Sequence, residues 1–205
     1  WGSRPAAPVE FFPLVNAPRS HLLGRRDVLQ LLSDHGVTPG QLICLEEAET
    51  HPRFTAAPLF LVDHNALDPR QTHLAGQVAG VIDHHEDAGE AGAGLRPRVV
   101  DTHAASALSL VLEHYRTLLP LTDLPAHPRL LLAPLYLDSG LFSPALFGMK
   151  HFELDARLRA AHLRPDMEAY FAQLAGLKEK GLTLGGEHVH VVLLRLPRRR
   201  PGQLH

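Results

Sequence analysis

Short apolar runs that stop at polar clusters dominate the first half of the chain. Leu59-Phe60-Leu61-Val62 stops at Asp63-His64-Asn65, and Val78-Ala79-Gly80-Val81-Ile82 stops at Asp83-His84-His85. Near-continuous apolar runs of this length read as strands covered on both faces, as in parallel sheets. Further strands are expected over residues 9–15, 41–45 and 98–100. A last one, over 188–196, has no evident partner.

Other segments carry a helical period. Residues 27–35 place Val28, Leu31 and Leu32 on one face, with Gly36 as a stop. Residues 103–115 do the same with Ala107, Leu108, Val111 and Leu112. Residues 152–163 and 166–180 read as amphipathic helices. The stretch 128–137 is apolar all round, a buried helix or strand, and ends at Asp138. Strands alternating with helices predict an α/β domain around a mostly parallel β-sheet flanked by helices. In such sheets ligands collect beyond the carboxyl ends of the strands, where these polar clusters fall.

Composition narrows the class. The chain has 205 residues, 45% hydrophobic and 20% charged, which suits a buried core and excludes wholesale disorder. No apolar run reaches the roughly 18 residues that span a bilayer. The net charge of −2 disfavours nucleic acid held by bulk positive charge. A single cysteine, Cys44, suits a reducing compartment, and a cytoplasmic setting is expected. Histidine is abundant, at 15, but only histidines clustered with carboxylates bear on chemistry.

Three clusters qualify: Asp63-His64-Asn65, Asp83-His84-His85 and Asp138-Ser139. Gathered on one sheet rim, carboxylates and imidazoles can hold hard or borderline divalent cations. Two such ions clamp the attacking water and the phosphoryl oxygen in hydrolysis. An isolated Asp-His pair at a strand end is more often a turn or cap. The repetition of the pattern after successive apolar runs is what points to a metal or phosphate site.

Leu61-Val62-Asp63-His64-Asn65 and Gly80-Val81-Ile82-Asp83-His84-His85-Glu86-Asp87 resemble the DHH phosphoesterase family, in its exopolyphosphatase and prune-like branch. Pro13-Leu14-Val15-Asn16-Ala17-Pro18-Arg19 and Leu132-Ala133-Pro134-Leu135-Tyr136-Leu137-Asp138-Ser139 support the likeness. The resemblance implies a DHH-type domain over residues 9–163. Residues 164–205 would then be a helical linker and the remnant of a smaller substrate-binding domain, with a basic tail. It implies Asp63, His84 and Asp138 as ligands of two divalent metals, Mn²⁺ or Mg²⁺. Asp83 and His85 would be catalytic, Asp83 orienting a histidine and His85 donating to phosphate. His64 and Asn65 would support the site or meet phosphate, and Ser106 would stand in the place of the family's serine at the substrate. Apart from the resemblance, Arg19, Arg25, Arg26 and Lys150 are candidate substrate contacts, since cations must balance a polyanion near the metals, with a solvated charge or surface ion pair as the alternative for each. The implied reaction is exopolyphosphatase-like: a phosphoanhydride is hydrolysed and orthophosphate leaves inorganic polyphosphate, or pyrophosphate is split. No membrane partner is implied.

The departures carry expectations of their own. The family's N-terminal Asp-x-Asp element is not found before Phe11, so the domain is expected to be incomplete at that end. The family's Gly-Ser segment reads Asp101-Thr102-His103-Ala104-Ala105-Ser106 here. Few ligands per ion predict weak metal binding and little or no hydrolase activity. The alternative is a catalytically degenerate α/β module that keeps the fold and acts through a protein or phosphate partner.

Overall fold

The computed structural model describes residues 9–52, 54, 57–89, 94–115, 127–140, 153–183 and 190–197. Its centre is a five-stranded sheet. The strands are β1 (Val9–Asn16), β2 (Leu59–Val62), β3 (Val78–Asp83), β4 (Arg98–Val100) and β5 (His190–Pro197), in spatial order β1-β5-β2-β3-β4. β2 pairs with β3 and β3 with β4 in parallel. β5 runs antiparallel to both β1 and β2. It follows that β1, β2, β3 and β4 all point one way and β5 alone is reversed. The α/β class and the parallel core are as expected.

That common direction sets up the site. Asn16 at the end of β1, Asp63 after β2, Asp83 at the end of β3 and Asp101 after β4 emerge on one rim. Backbone bonds lock the rim together: Asp63 N–H donates to Ile82 O at 3.0 Å, and Asp101 N–H to Asp83 O at 3.1 Å.

The apolar runs fill both faces of the sheet. Val81 packs with Leu14, Leu45, Leu59, Leu61 and Leu74 on one side. Its neighbour Ile82 packs with Ala104 and Leu110 on the other. Successive strand side chains point to opposite faces, so a strand covered on both sides must be apolar at every position. Gly80 lies opposite Phe60 in the β2–β3 register. A Cβ there would come within 2.5 Å of Phe60 Cδ1 and 3.0 Å of Pro97 Cδ, so the Phe60 ring occupies the space a side chain would need.

The helices are α1 (Arg19–Leu22), α2 (Arg26–Ser33), α3 (Leu45–Glu49), α4 (Ala107–Tyr115), α5 (Pro128–Asp138), α6 (Glu153–His162) and α7 (Pro165–Thr183). α2 ends where expected: Gly36 takes φ 77°, a left-handed turn that closes a helix at little cost for glycine. The ambiguous apolar stretch is α5, with Pro128 in its first turn and Pro134 inside it. α5, α6 and α7 share a core of Leu132, Leu135, Tyr136, Leu158, Phe171 and Leu174. Fully burying one such aliphatic side chain contributes about 1.5–3 kcal/mol. Tyr170 on α7 donates to Asp34 Oδ2 at 2.6 Å, which ties α7 to the end of α2.

Three expectations change. Residues 41–45 form no strand. Cys44 makes one bridge to Val15, and the chain then enters α3. Glu47 Oε2 accepts the Cys44 N–H at 3.1 Å, a capping arrangement that favours helix over strand. The helix expected from 103 begins at Ala107, because Ser106 Oγ accepts the Leu108 N–H and caps it there. The last strand is not unpartnered, since β5 is bonded along both edges. Among the described residues no helix is long and apolar enough to cross a membrane.

Candidate active site

The site is built from the turn after β2. Asp63 has φ 69°, a left-handed conformation that aspartate tolerates better than most residues. That turn brings its carboxylate to His84, whose Nε2 lies 3.2 Å from Asp63 Oδ1. The other ring nitrogen, Nδ1, is 3.2 Å from the Ala104 carbonyl. A carbonyl can only accept, so Nδ1 carries a proton and donates it there. Nε2 then faces a carboxylate, and two acceptors at that distance repel unless a proton or a cation lies between them. Contact with Asp63 is the main reason the His84 pKa is raised.

This donor set fits a divalent cation. An imidazole fixed through its far nitrogen, beside a carboxylate, is the usual preparation of a metal ligand, the cation taking the place of the Nε2 proton. One ligand atom each from Asp63, His84 and His85 falls within 4.8 Å of the others. Asp138 lines the same cavity but is outside that trio.

Asp83 is fully buried and braces the site. Its Oδ1 accepts the His84 backbone N–H and the His85 Nδ1–H, each at 2.8 Å. Its Oδ2 accepts from Asn65 Nδ2. With three donors its carboxylate is committed to holding other groups in place. Asn65 also donates to Glu86 O at 2.9 Å and accepts Ala88 N–H at 2.8 Å, so it clasps the loops after β2 and β3 together. His85 stays 55% exposed on the cavity wall, its ring 4.4 Å from that of His84.

Asp138 sits at the last turn of α5, and burial raises its pKa, with the Asp63 charge adding to the effect. Ser106 Oγ donates to its Oδ2 at 2.7 Å. Lys178 Nζ approaches its Oδ1 at 4.0 Å. These groups surround an open cavity of about 680 Å³ that also reaches Arg25. Arg25 is buried and donates twice to Asp27, from Nε at 3.0 Å and Nη2 at 2.7 Å.

The structure therefore gathers Asp63, His64, Asn65, Asp83, His84, His85 and Asp138 around one cavity, with Ser106 against Asp138. His64 lines it with both nitrogens engaged: Nδ1 donates to Val62 O at 3.0 Å, and Nε2 accepts from Asn16 Nδ2 at 3.2 Å. Arg19 does not line it. Its guanidinium is spent on Glu47, Pro39 O and Leu42 O. Lys150 lies outside the described residues. Sequence reasoning missed Lys178, although it continues the helical row Phe171, Leu174 whose members are buried.

Comparison with known proteins follows the same direction. Over 105 residues the chain is 31% identical to a Schizosaccharomyces pombe protein named "Putative exopolyphosphatase". The match covers 50% of this chain and 27% of that protein, so the chain spans about a quarter of the relative's length. No family model matches the chain.

Proposed function

We propose that this chain carries the metal-binding face of a phosphoanhydride hydrolase of the exopolyphosphatase kind. The observation that carries this reading is the approach of His84 Nε2 to Asp63 Oδ1 at 3.2 Å in a cluster that His85 completes, a donor set that holds either a proton or a cation between its atoms. The similarity to part of a protein named as an exopolyphosphatase supports the choice of substrate class.

Asp63 and His84 would hold the cation, Mn²⁺ or Mg²⁺, with Asp138 as the further carboxylate for a second. When bound, such an ion would polarise a phosphoryl oxygen and favour ionisation of the attacking water. The chain's own residues do the rest. Asp83 fixes the His85 ring through Nδ1, which leaves Nε2 on the cavity wall, where it would donate to phosphate once the ring takes up a second proton. Water adds to the terminal phosphorus of inorganic polyphosphate or pyrophosphate. The anhydride P–O bond breaks, the leaving oxygen takes a proton, and orthophosphate departs. The setting expected for this activity is the cytoplasm.

With few donors per ion, turnover should be slow. The test is orthophosphate release from tripolyphosphate with Mn²⁺, for the wild-type chain and Asp63→Asn. Release that needs Mn²⁺ and vanishes in the variant supports the reading. Equal release from both contradicts it.

A second reading, a degenerate α/β module that binds phosphate or a protein partner, is favoured by the same small donor set. It predicts a melting temperature that Mn²⁺ does not move.

A further inference from the structure

We propose that Lys178 is a positioning residue, holding the terminal phosphoryl group of the substrate in the cavity. The inference rests on the hydrolase reading above. The cavity wall carries the carboxylates of Asp63, Asp83, Glu86 and Asp138. Against them stand two permanent cations among the described residues, Arg25 and Lys178. A polyanion entering this wall meets net repulsion unless a cation offsets it. Arg25 is committed, since its guanidinium forms a two-bond fork with the buried Asp27. Lys178 is not committed in the same way. Its ammonium lies 4.0 Å from Asp138 Oδ1, beyond hydrogen-bond length, so that contact leaves its donors available.

Its placement is held by the fold. Phe171 and Leu174 on α7 are 0% and 1% exposed, and Lys178 follows them at i+7 and i+4. A lysine in the row that buries an amphipathic helix is out of pattern, and its side chain is 26% exposed. The row continues into the cavity, which is where a charged end can be accommodated. Lys178 also faces Asp138, the carboxylate that would otherwise await a second cation. A cation bound there would compete with the ammonium for Asp138 and release it toward phosphate.

Two opposite effects follow, and a purely structural lysine would not produce both. Calorimetry with Mn²⁺ alone, then with tripolyphosphate in the presence of Mn²⁺, separates them for wild type, Lys178→Gln and Lys178→Arg. Lys178→Gln is expected to bind tripolyphosphate about tenfold more weakly, the usual scale for a lost charged hydrogen bond. It should bind Mn²⁺ as well as wild type or better. Lys178→Arg should keep tripolyphosphate affinity within about threefold of wild type, because the charge remains. Tripolyphosphate binding unchanged in Lys178→Gln, or Mn²⁺ binding lost in parallel, overturns the proposal. Asp63→Asn serves as the control for the underlying reading. If it abolishes Mn²⁺ binding while Lys178→Gln leaves tripolyphosphate unaffected, the lysine inference alone fails. If it leaves Mn²⁺ binding intact, or if the wild-type chain binds no tripolyphosphate, both fail.

Discussion

Asn65 and Asp83 join the two polar turns of the site from beneath, through a hydrogen bond between Asn65 Nδ2 and Asp83 Oδ2. Asp83 is fully buried, and the same carboxylate takes the His84 N–H and the His85 ring. Removing it leaves three donors without their acceptor. Asp83→Ala should therefore cost roughly 3–5 kcal/mol of stability, near the upper end for single substitutions. Urea denaturation measures this, and a loss below about 1 kcal/mol would show that the brace is dispensable.

The left-handed turn at Asp63 gives a backbone prediction independent of metal. Asparagine tolerates this conformation, whereas a β-branched residue does not. Asp63→Asn should melt within a few degrees of wild type without metal. Asp63→Val should lose about 1–3 kcal/mol. Thermal melts of the two variants should separate clearly, and coincident melts would argue against a constrained turn.

Gly80 is explained by the Phe60 ring beside it. Gly80→Ala forces the ring or the strand to move, with an expected cost of about 1–3 kcal/mol. The companion change Phe60→Leu should recover part of that loss, as chemical denaturation of the double variant can show.

Glu47 provides a pH signature away from the site. Arg19, followed by the Cys44 N–H, holds its carboxyl down at about 2. A carboxylate with a depressed folded pKa stabilises above its unfolded value, here near 4.5, and that contribution is lost as pH falls toward 2. Wild type should thus weaken over this window more steeply than Glu47→Gln. Denaturation midpoints at pH 5 and pH 2.5 provide the comparison, and parallel slopes would remove Glu47 from the account.

The rim was readable because its cause is local: an apolar strand covered on both faces has to end somewhere polar, and β2 and β3 end at Asp63 and Asp83. The roles of the following residues were less readable. The left-handed turn at Asp63 folds His64 back onto Val62 O and sends Asn65 to Glu86 and Ala88, so of the two roles expected, supporting the site or meeting phosphate, these bonds serve the first. No spacing rule encodes that reversal. The position of β5 was hidden for another reason, since pairing with β1 and β2 joins distant parts of the chain. Arg19 was a candidate phosphate contact as a cation that could balance a polyanion, but Glu47 and two carbonyls engage it first. Lys178 did leave a trace, a charge in the apolar row of α7, which helical periodicity alone would class as an exception.

The central claim is that Asp63 and His84 grip a divalent cation. Isothermal titration of the metal-free chain with Mn²⁺ at pH 7.5 tests it most directly, with Asp63→Asn as comparison. Saturable binding by wild type, weakened about 100-fold or more in the variant, is the predicted result. Equal binding by the two proteins, or none by wild type, would contradict it.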